Sequence, residues 1–186
     1  MKCPFQGLFE VTQVYKGINH KGVDLVGLDG ETVYCTVDGE VEVTRWDTHI
    51  TGGMGLYVRV RETSTGLLHY FAHLANAYVV DGDSVRVGTA LGLMGSTGHS
   101  TGKHLHYEIR EYTDNTTFIN VSLWSGIPNI LGRYTSEPLT VLQAKKIVRD
   151  ALGYEEKTVA YIADYYIYGT EAITRLANYI LGVKNG

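Results

Sequence analysis

Between Phe9 and Arg110 glycine turns cut the chain into short segments, and no other feature restricts its fold as much. Residues 32–36, 40–45, 56–61 and 67–73 are rich in Val, Tyr and Thr, and Asp38-Gly39, Gly52-Gly53 and Asp81-Gly82 punctuate them. β-Branched and aromatic residues suit a pleated, half-buried surface. No long helical periodicity precedes residue 135. The pattern predicts a mainly β fold, an antiparallel β-sandwich or barrel-like unit. The use of 22 glycines against 3 prolines in 186 residues fits many tight turns.

Residues 111–134 are less regular, broken by Asn120, Gly126, Pro128 and Gly132. Beyond Ser136-Glu137-Pro138 the pattern changes. Leu139, Leu142, Ala144, Ile147, Val148, Ala151 and Leu152 recur near helical spacing until Gly153 stops them. Two further helices are expected over 157–168 and 171–181, split by Gly169. The expected organisation is a β domain at 1–125, a linker at 126–136 and a small α-helical appendage at 137–186. Tyr154, Tyr161, Tyr165, Tyr166, Tyr168 and Tyr179 crowd that appendage. They suit a small core with half-exposed rings, or a face for binding or homo-oligomerisation.

The bulk numbers remove some classes of function. A net charge of -4 leaves no basic footprint for nucleic acid. No run approaches the ~18 apolar residues of a membrane span. The opening MKCPFQGLFE has no continuous apolar core, so no signal peptide is expected. Cys3 and Cys35 lack a Cys-x-x-Cys spacing and are read equally as free or paired.

The densest chemistry lies in Gly95–Arg110, GSTGHSTGKHLHYEIR. Its tail alternates like a strand, which puts His104 and His106 on one face and Leu105 in the core. A second cluster is His20-Lys21-Gly22-Val23-Asp24. In a strand, residues i and i+4 face the same side, so His20 and Asp24 can aim at one point across Gly22. Imidazoles and a carboxylate together suit Zn2+. Spacing alone leaves His20, Asp24, His104 and His106 all open as ligands. His73 ends an apolar strand in Tyr70-Phe71-Ala72-His73-Leu74, where it also reads as a satisfied core-edge histidine. His49, His69 and His99 are read as incidental.

His20-x-Gly22-x-Asp24, Phe71-Ala72-His73-Leu74 and Gly95-Ser96-Thr97-Gly98-x-Ser100-Thr101-Gly102-x-His104-Leu105-His106-Tyr107-Glu108 resemble the three signatures of the lysostaphin/LytM-type zinc endopeptidases. Residues 82–92 are similar to that family's hairpin before the glycine-rich loop. The resemblance covers Phe9 to Arg110 with the motifs in family order. It implies a fold of the duplicated-hybrid-motif type. It also implies Zn2+ held by His20, Asp24 and His106, with His73 and His104 as the catalytic pair outside the metal's ligands. Three protein ligands leave the open position that a hydrolytic zinc requires. A tyrosine ahead of the first histidine often stabilises the oxyanion in this family, and Tyr15 is the nearest candidate. Where family members often carry Tyr two residues before the second-motif histidine, this chain has Phe71.

The implied activity is zinc-dependent hydrolysis of a peptide bond in bacterial peptidoglycan, in a glycine-containing cross-bridge or a stem peptide. The implied setting is a phage or prophage lysin, made in the host cytoplasm and acting on the cell wall after release. The appendage would then bind wall or self-associate. One competing expectation is an inactive relative serving as a wall-binding or scaffold protein. The other is a sugar-transport phosphocarrier, which has no use for Asp24 or for the His104-x-His106 pair.

Overall fold

The computed structural model describes residues 2–47, 53–113, 115–137, 140–165 and 169–182, with the side chains of 161–172 outside that description. His49, Gly52, Pro138, Leu139, Tyr166 and Tyr168, all singled out above, lie outside the described residues, as do the side chains of Tyr161 and Tyr165. In chain order the elements are β1 (Leu8–Gln13), a 3-10 turn (Gly17–Asn19), β2 (Gly22–Gly27), β3 (Thr32–Tyr34), β4 (Gly39–Asp47) and β5 (Gly55–Glu62). There follow β6 (Leu68–Leu74), β7 (Asn76–Ala77), β8 (Ser84–Val85), β9 (Ala90–Leu93), β10 (Leu105–Arg110) and β11 (Phe118–Ile119). The last elements are α1 (Val121–Ser125), β12 (Gly132–Thr135), α2 (Val141–Leu152), α3 (Glu156–Tyr165) and α4 (Gly169–Ile180).

The large antiparallel sheet runs β12-β1-β2-β10-β6-β5-β4-β8, with β11 added beside β10. A three-stranded sheet, β3-β9-β7, lies apart from it. Val33 and Leu91 from the small sheet share one buried cluster with Val58, Phe71 and Tyr107 from the large one. The two sheets therefore close on a common core, as the alternating pattern requires. The Phe71 and Tyr107 rings stack at 5.0 Å between centroids. Full burial of a side chain of this size contributes roughly 1.5–3 kcal/mol. The end strands β12 and β8 do not pair with each other, so the sheet is open and not a closed barrel.

The stretch at 126–136, expected as a linker, instead belongs to the β unit. Within it β12 pairs with β1 from Leu8↔Thr135 to Val11↔Gly132. Ile127 and Tyr134 are buried in the main core. Four residues with a single buried apolar side chain carry too little periodicity to be read as a strand. Pairing with β1 supplies what local propensity lacks.

Helix α2 follows local rules. Thr140 and Gln143 form a reciprocal capping box, and Gly153 ends the helix at a φ of 68°. Ala144, Val148, Val159, Ile173 and Ala177 form a small core of their own among the three C-terminal helices. Among the described residues no helix is long and apolar enough to cross a membrane.

Candidate metal centre

The polar side chains of interest come from three neighbouring strands at the middle of the large sheet. In the β10–β2 ladder His106 stands opposite Asp24, and in the β10–β6 ladder it stands opposite Ala72, next to His73. Leu105, Tyr107 and Ile109 point into the core with no measurable exposure. The alternate residues of the same run, His106, Glu108 and Arg110, therefore face the groove, with His104 leading in just before the strand.

Three donors converge. Asp24 Oδ1 lies 2.8 Å from His106 Nδ1 and 3.2 Å from His20 Nε2. One ligand atom each from His20, Asp24 and His106 fits within 4.8 Å of the others. His20 Nδ1 donates to the Val14 carbonyl at 2.7 Å, which turns Nε2 toward Asp24. His106 Nε2 faces Glu108 Oε2 at 3.2 Å, so Nδ1 is the nitrogen turned to Asp24. Metal-binding histidines characteristically have the other ring nitrogen engaged in this way. The donor set fits a divalent ion of the zinc type.

A second pair flanks the first. The His73 and His104 rings lie 4.8 Å apart between centroids, and His104 Nε2 is 3.7 Å from Asp24 Oδ2. His73 Nδ1 donates to Thr97 O at 2.8 Å, and His104 Nδ1 donates to Gly102 O at 2.8 Å. With Nδ1 so engaged, each ring turns Nε2 away from its carbonyl anchor. His73 has a φ of 63°, a left-handed conformation that a non-glycine residue adopts at a cost. Its amide is held by Met54 O at 2.9 Å.

The electrostatics divide these groups. Burial pushes the Asp24 carboxyl up, but hydrogen bonds from His106 and His20 outweigh it and hold the acid well below the usual carboxylate range. Burial works against a charge on His106, yet Asp24 and Glu108 overcome it and raise the ring to about 9. Burial lowers His73 to about 4 against the hydrogen bond to Thr97, and His106 and His104 add to the lowering.

Gly22 makes this approach feasible. A Cβ there would lie 2.4 Å from Tyr107 O and 2.9 Å from the His106 ring. Across the groove, a Cβ on Gly98 would lie 2.3 Å from the Gly55 amide nitrogen, so the 95–102 loop rests backbone to backbone on β5. The groove has a volume of about 610 Å3 and holds all five of His20, Asp24, His73, His104 and His106.

Tyr15 is placed differently from expectation. Its hydroxyl donates to Phe118 O at 3.3 Å, and the residue is not among those lining the groove. His99, read as incidental, does line the groove. Glu108 and Arg110, to which the sequence motifs assign no role, line the groove as well. Strand alternation from His106 was the signal that could have found them. His69 is wholly buried inside β6, with Nδ1 2.9 Å from the Tyr107 hydroxyl and Nε2 3.6 Å from Glu62 Oε2. Cys3 and Cys35 are both free.

Residues 18–120 match the sequence pattern described as Peptidase family M23. The chain is 40% identical over 89 residues to an uncharacterised metalloprotease of Haemophilus influenzae, a match covering 48% of this chain and 18% of that protein. It is 35% identical over 111 residues to the peptidoglycan DD-endopeptidase ShyA of Vibrio cholerae, covering 59% of this chain and 25% of that one. The chain thus spans a quarter or less of the length of these curated relatives. Among solved structures, it resembles the catalytic domain of the antimicrobial peptidase lysostaphin from Staphylococcus simulans. That likeness has a TM-score of 0.53 and 27% identity, and covers 63% of this chain and 90% of that domain.

Proposed function

The chain belongs to peptidase family M23, and from that premise we propose that it is a zinc endopeptidase cutting peptide bonds of bacterial peptidoglycan. The observation that carries this reading is the convergence of His20, Asp24 and His106 beside the His73–His104 pair in one groove. The metalloprotease and DD-endopeptidase relatives support the same chemistry.

In this reading His20, Asp24 and His106 hold the ion. When bound there, zinc supplies Lewis acidity for the scissile carbonyl and for the attacking water. His73 stays neutral near pH 7 because burial and its imidazole neighbours hold it down to about 4. A neutral ring with Nδ1 on a backbone carbonyl can take the water's proton at Nε2. The water oxygen then bonds to the carbonyl carbon, and the C–N bond breaks as the departing nitrogen receives a proton from an imidazolium. His73 and His104 present equivalent nitrogens, so either can serve each transfer. The carbonyl anchors at Thr97 and Gly102 keep both rings from turning away.

The proposed setting is a phage or prophage lysin acting on the wall after release. The β unit is the proposed catalytic domain. The helical unit, with its separate core, is the proposed wall-binding or self-associating part. An inactive scaffold is not favoured, since all five polar residues lie together in the groove. Mass spectrometry of fragments released from purified walls of several cross-bridge types tests the activity and names the bond. No newly formed amino termini from any wall, with zinc supplied, would defeat the reading.

A further inference from the structure

Within the groove, charge is distributed unevenly. The carboxylates lining it are Asp24 and Glu108. Asp24 faces His20 and His106, while Glu108 pairs with Arg110 and His106. Lys21 also lines the groove, and among the described residues no carboxylate lies within ion-pair distance of its ammonium.

Lys21 is nevertheless held in place. Its Nζ sits 4.5 Å from the centre of the Phe118 ring, and the Arg110 guanidinium lies 5.1 Å from the same ring. A cation over an aromatic face is attracted by the ring's negative quadrupole. This preorganises the stem without neutralising the charge. Phe118 is in turn fixed by pairing with Arg110 across β11–β10. Exposed Ile18 and the amide of Gln13 line the groove with them.

We propose that Lys21, with Arg110 beside it across Phe118, forms a subsite that recognises a carboxylate on the substrate peptide. Lys21 directly follows the metal-site residue His20, and a peptide residue spans about 3.5 Å. The recognised carboxylate therefore lies within a few residues of the cleaved bond. Lys21 is a point charge with three donors and accepts carboxylates in several orientations. Arg110, already paired with Glu108, contributes field and orientation. The inference rests on the endopeptidase reading for its substrate, but its binding component can be measured separately.

The test uses the full zinc-loaded chain and three wall-type peptides sharing one scissile bond. One carries both a side-chain carboxylate and a free C-terminal carboxylate, and the other two have one or the other amidated. The ratio of kcat/KM for the carboxylate peptide over its amidated partner identifies which carboxylate is read. In Lys21→Met that ratio is expected to fall about 10-fold or more, chiefly through KM, because the carboxylate loses a charge-assisted hydrogen bond. Lys21→Arg should restore most of it. If both amidated peptides behave like the parent in the wild type, or if Lys21→Met leaves the ratio unchanged, the subsite is overturned. In parallel, equilibrium binding of the same peptides is compared between His73→Ala and His73→Ala/Lys21→Met proteins. Carboxylate preference lost with Lys21, while the unsubstituted zinc-loaded chain cleaves none of the peptides, would sustain the subsite and defeat the endopeptidase reading. Cleavage with no Lys21-dependent preference would do the reverse.

Discussion

His106 stands directly opposite Asp24 in the β10–β2 ladder, and its Nδ1 lies 2.8 Å from Asp24 Oδ1. A single register thus places an imidazole and a carboxylate from positions 82 residues apart at one point. His20 reaches that point from four residues before Asp24.

Replacing donors of this cluster should separate from replacing its flanking pair. Asp24→Ala or His106→Ala is expected to lose both bound zinc and wall lysis. His73→Ala or His104→Ala should keep zinc near one equivalent and reduce lysis by about 10²–10⁴-fold. Elemental analysis after dialysis, alongside turbidity of a wall suspension, distinguishes the two classes. Loss of zinc in His104→Ala as complete as in His106→Ala would refute the division.

Metal binding should release a proton near neutral pH. Flanked by Asp24 and Glu108, His106 is raised to about 9 in the metal-free protein. It is therefore protonated at pH 7.5 and must lose that proton to offer Nδ1. The apparent affinity should fall as pH drops below about 9, and release from this ring should vanish above that value. Calorimetric titration in buffers of different ionisation enthalpy measures the proton count. A buffer-independent heat at pH 7.5 contradicts the expectation.

A distinct pH effect is expected at His69, on the other side of the sheet. Burial lowers this histidine against the pull of Glu62. A histidine whose folded pKa lies below its unfolded value contributes stability that is full above about 6.5 and lost as pH falls from there. Urea unfolding between pH 7.5 and 5 should show declining stability, and His69→Gln should flatten that decline. An equal slope in both proteins would remove His69 as the cause.

Gly22→Ala should damage the metal centre without touching a donor. Its Cβ would meet Tyr107 O at 2.4 Å and the His106 ring at 2.9 Å, forcing β2 away from β10. Overpacking of this kind costs about 1–3 kcal/mol. Thermal unfolding of the metal-free protein and competition with a zinc chelator should both report a loss. Unchanged values in both would show that the strands accommodate the methyl group.

Much of the molecule is legible in the chain. Helix α2 is legible from the helical spacing of Leu142, Ala144, Ile147, Val148 and Leu152 and from its stop at Gly153, because both signals are local. Strands β4, β5 and β6 fall where Val, Tyr and Thr concentrate between glycine turns. β12 was not legible, since its reason to exist is the edge of β1. Tyr15 was out of reach for a related reason. The partner of its hydroxyl is Phe118 O, 103 residues away.

By itself the sequence determined which residues could do chemistry and which faces they occupy. Strand alternation alone puts Leu105 and Tyr107 inward and His106, Glu108 and Arg110 outward. Only the tertiary structure decided who meets whom. The β2-β10-β6 order brings Asp24, His106 and His73 side by side, and backbone carbonyls of Val14, Thr97 and Gly102 select which nitrogen of His20, His73 and His104 is free. Periodicity reports the side a residue faces, whereas pairing between distant strands sets its neighbours, and no local pattern encodes that register.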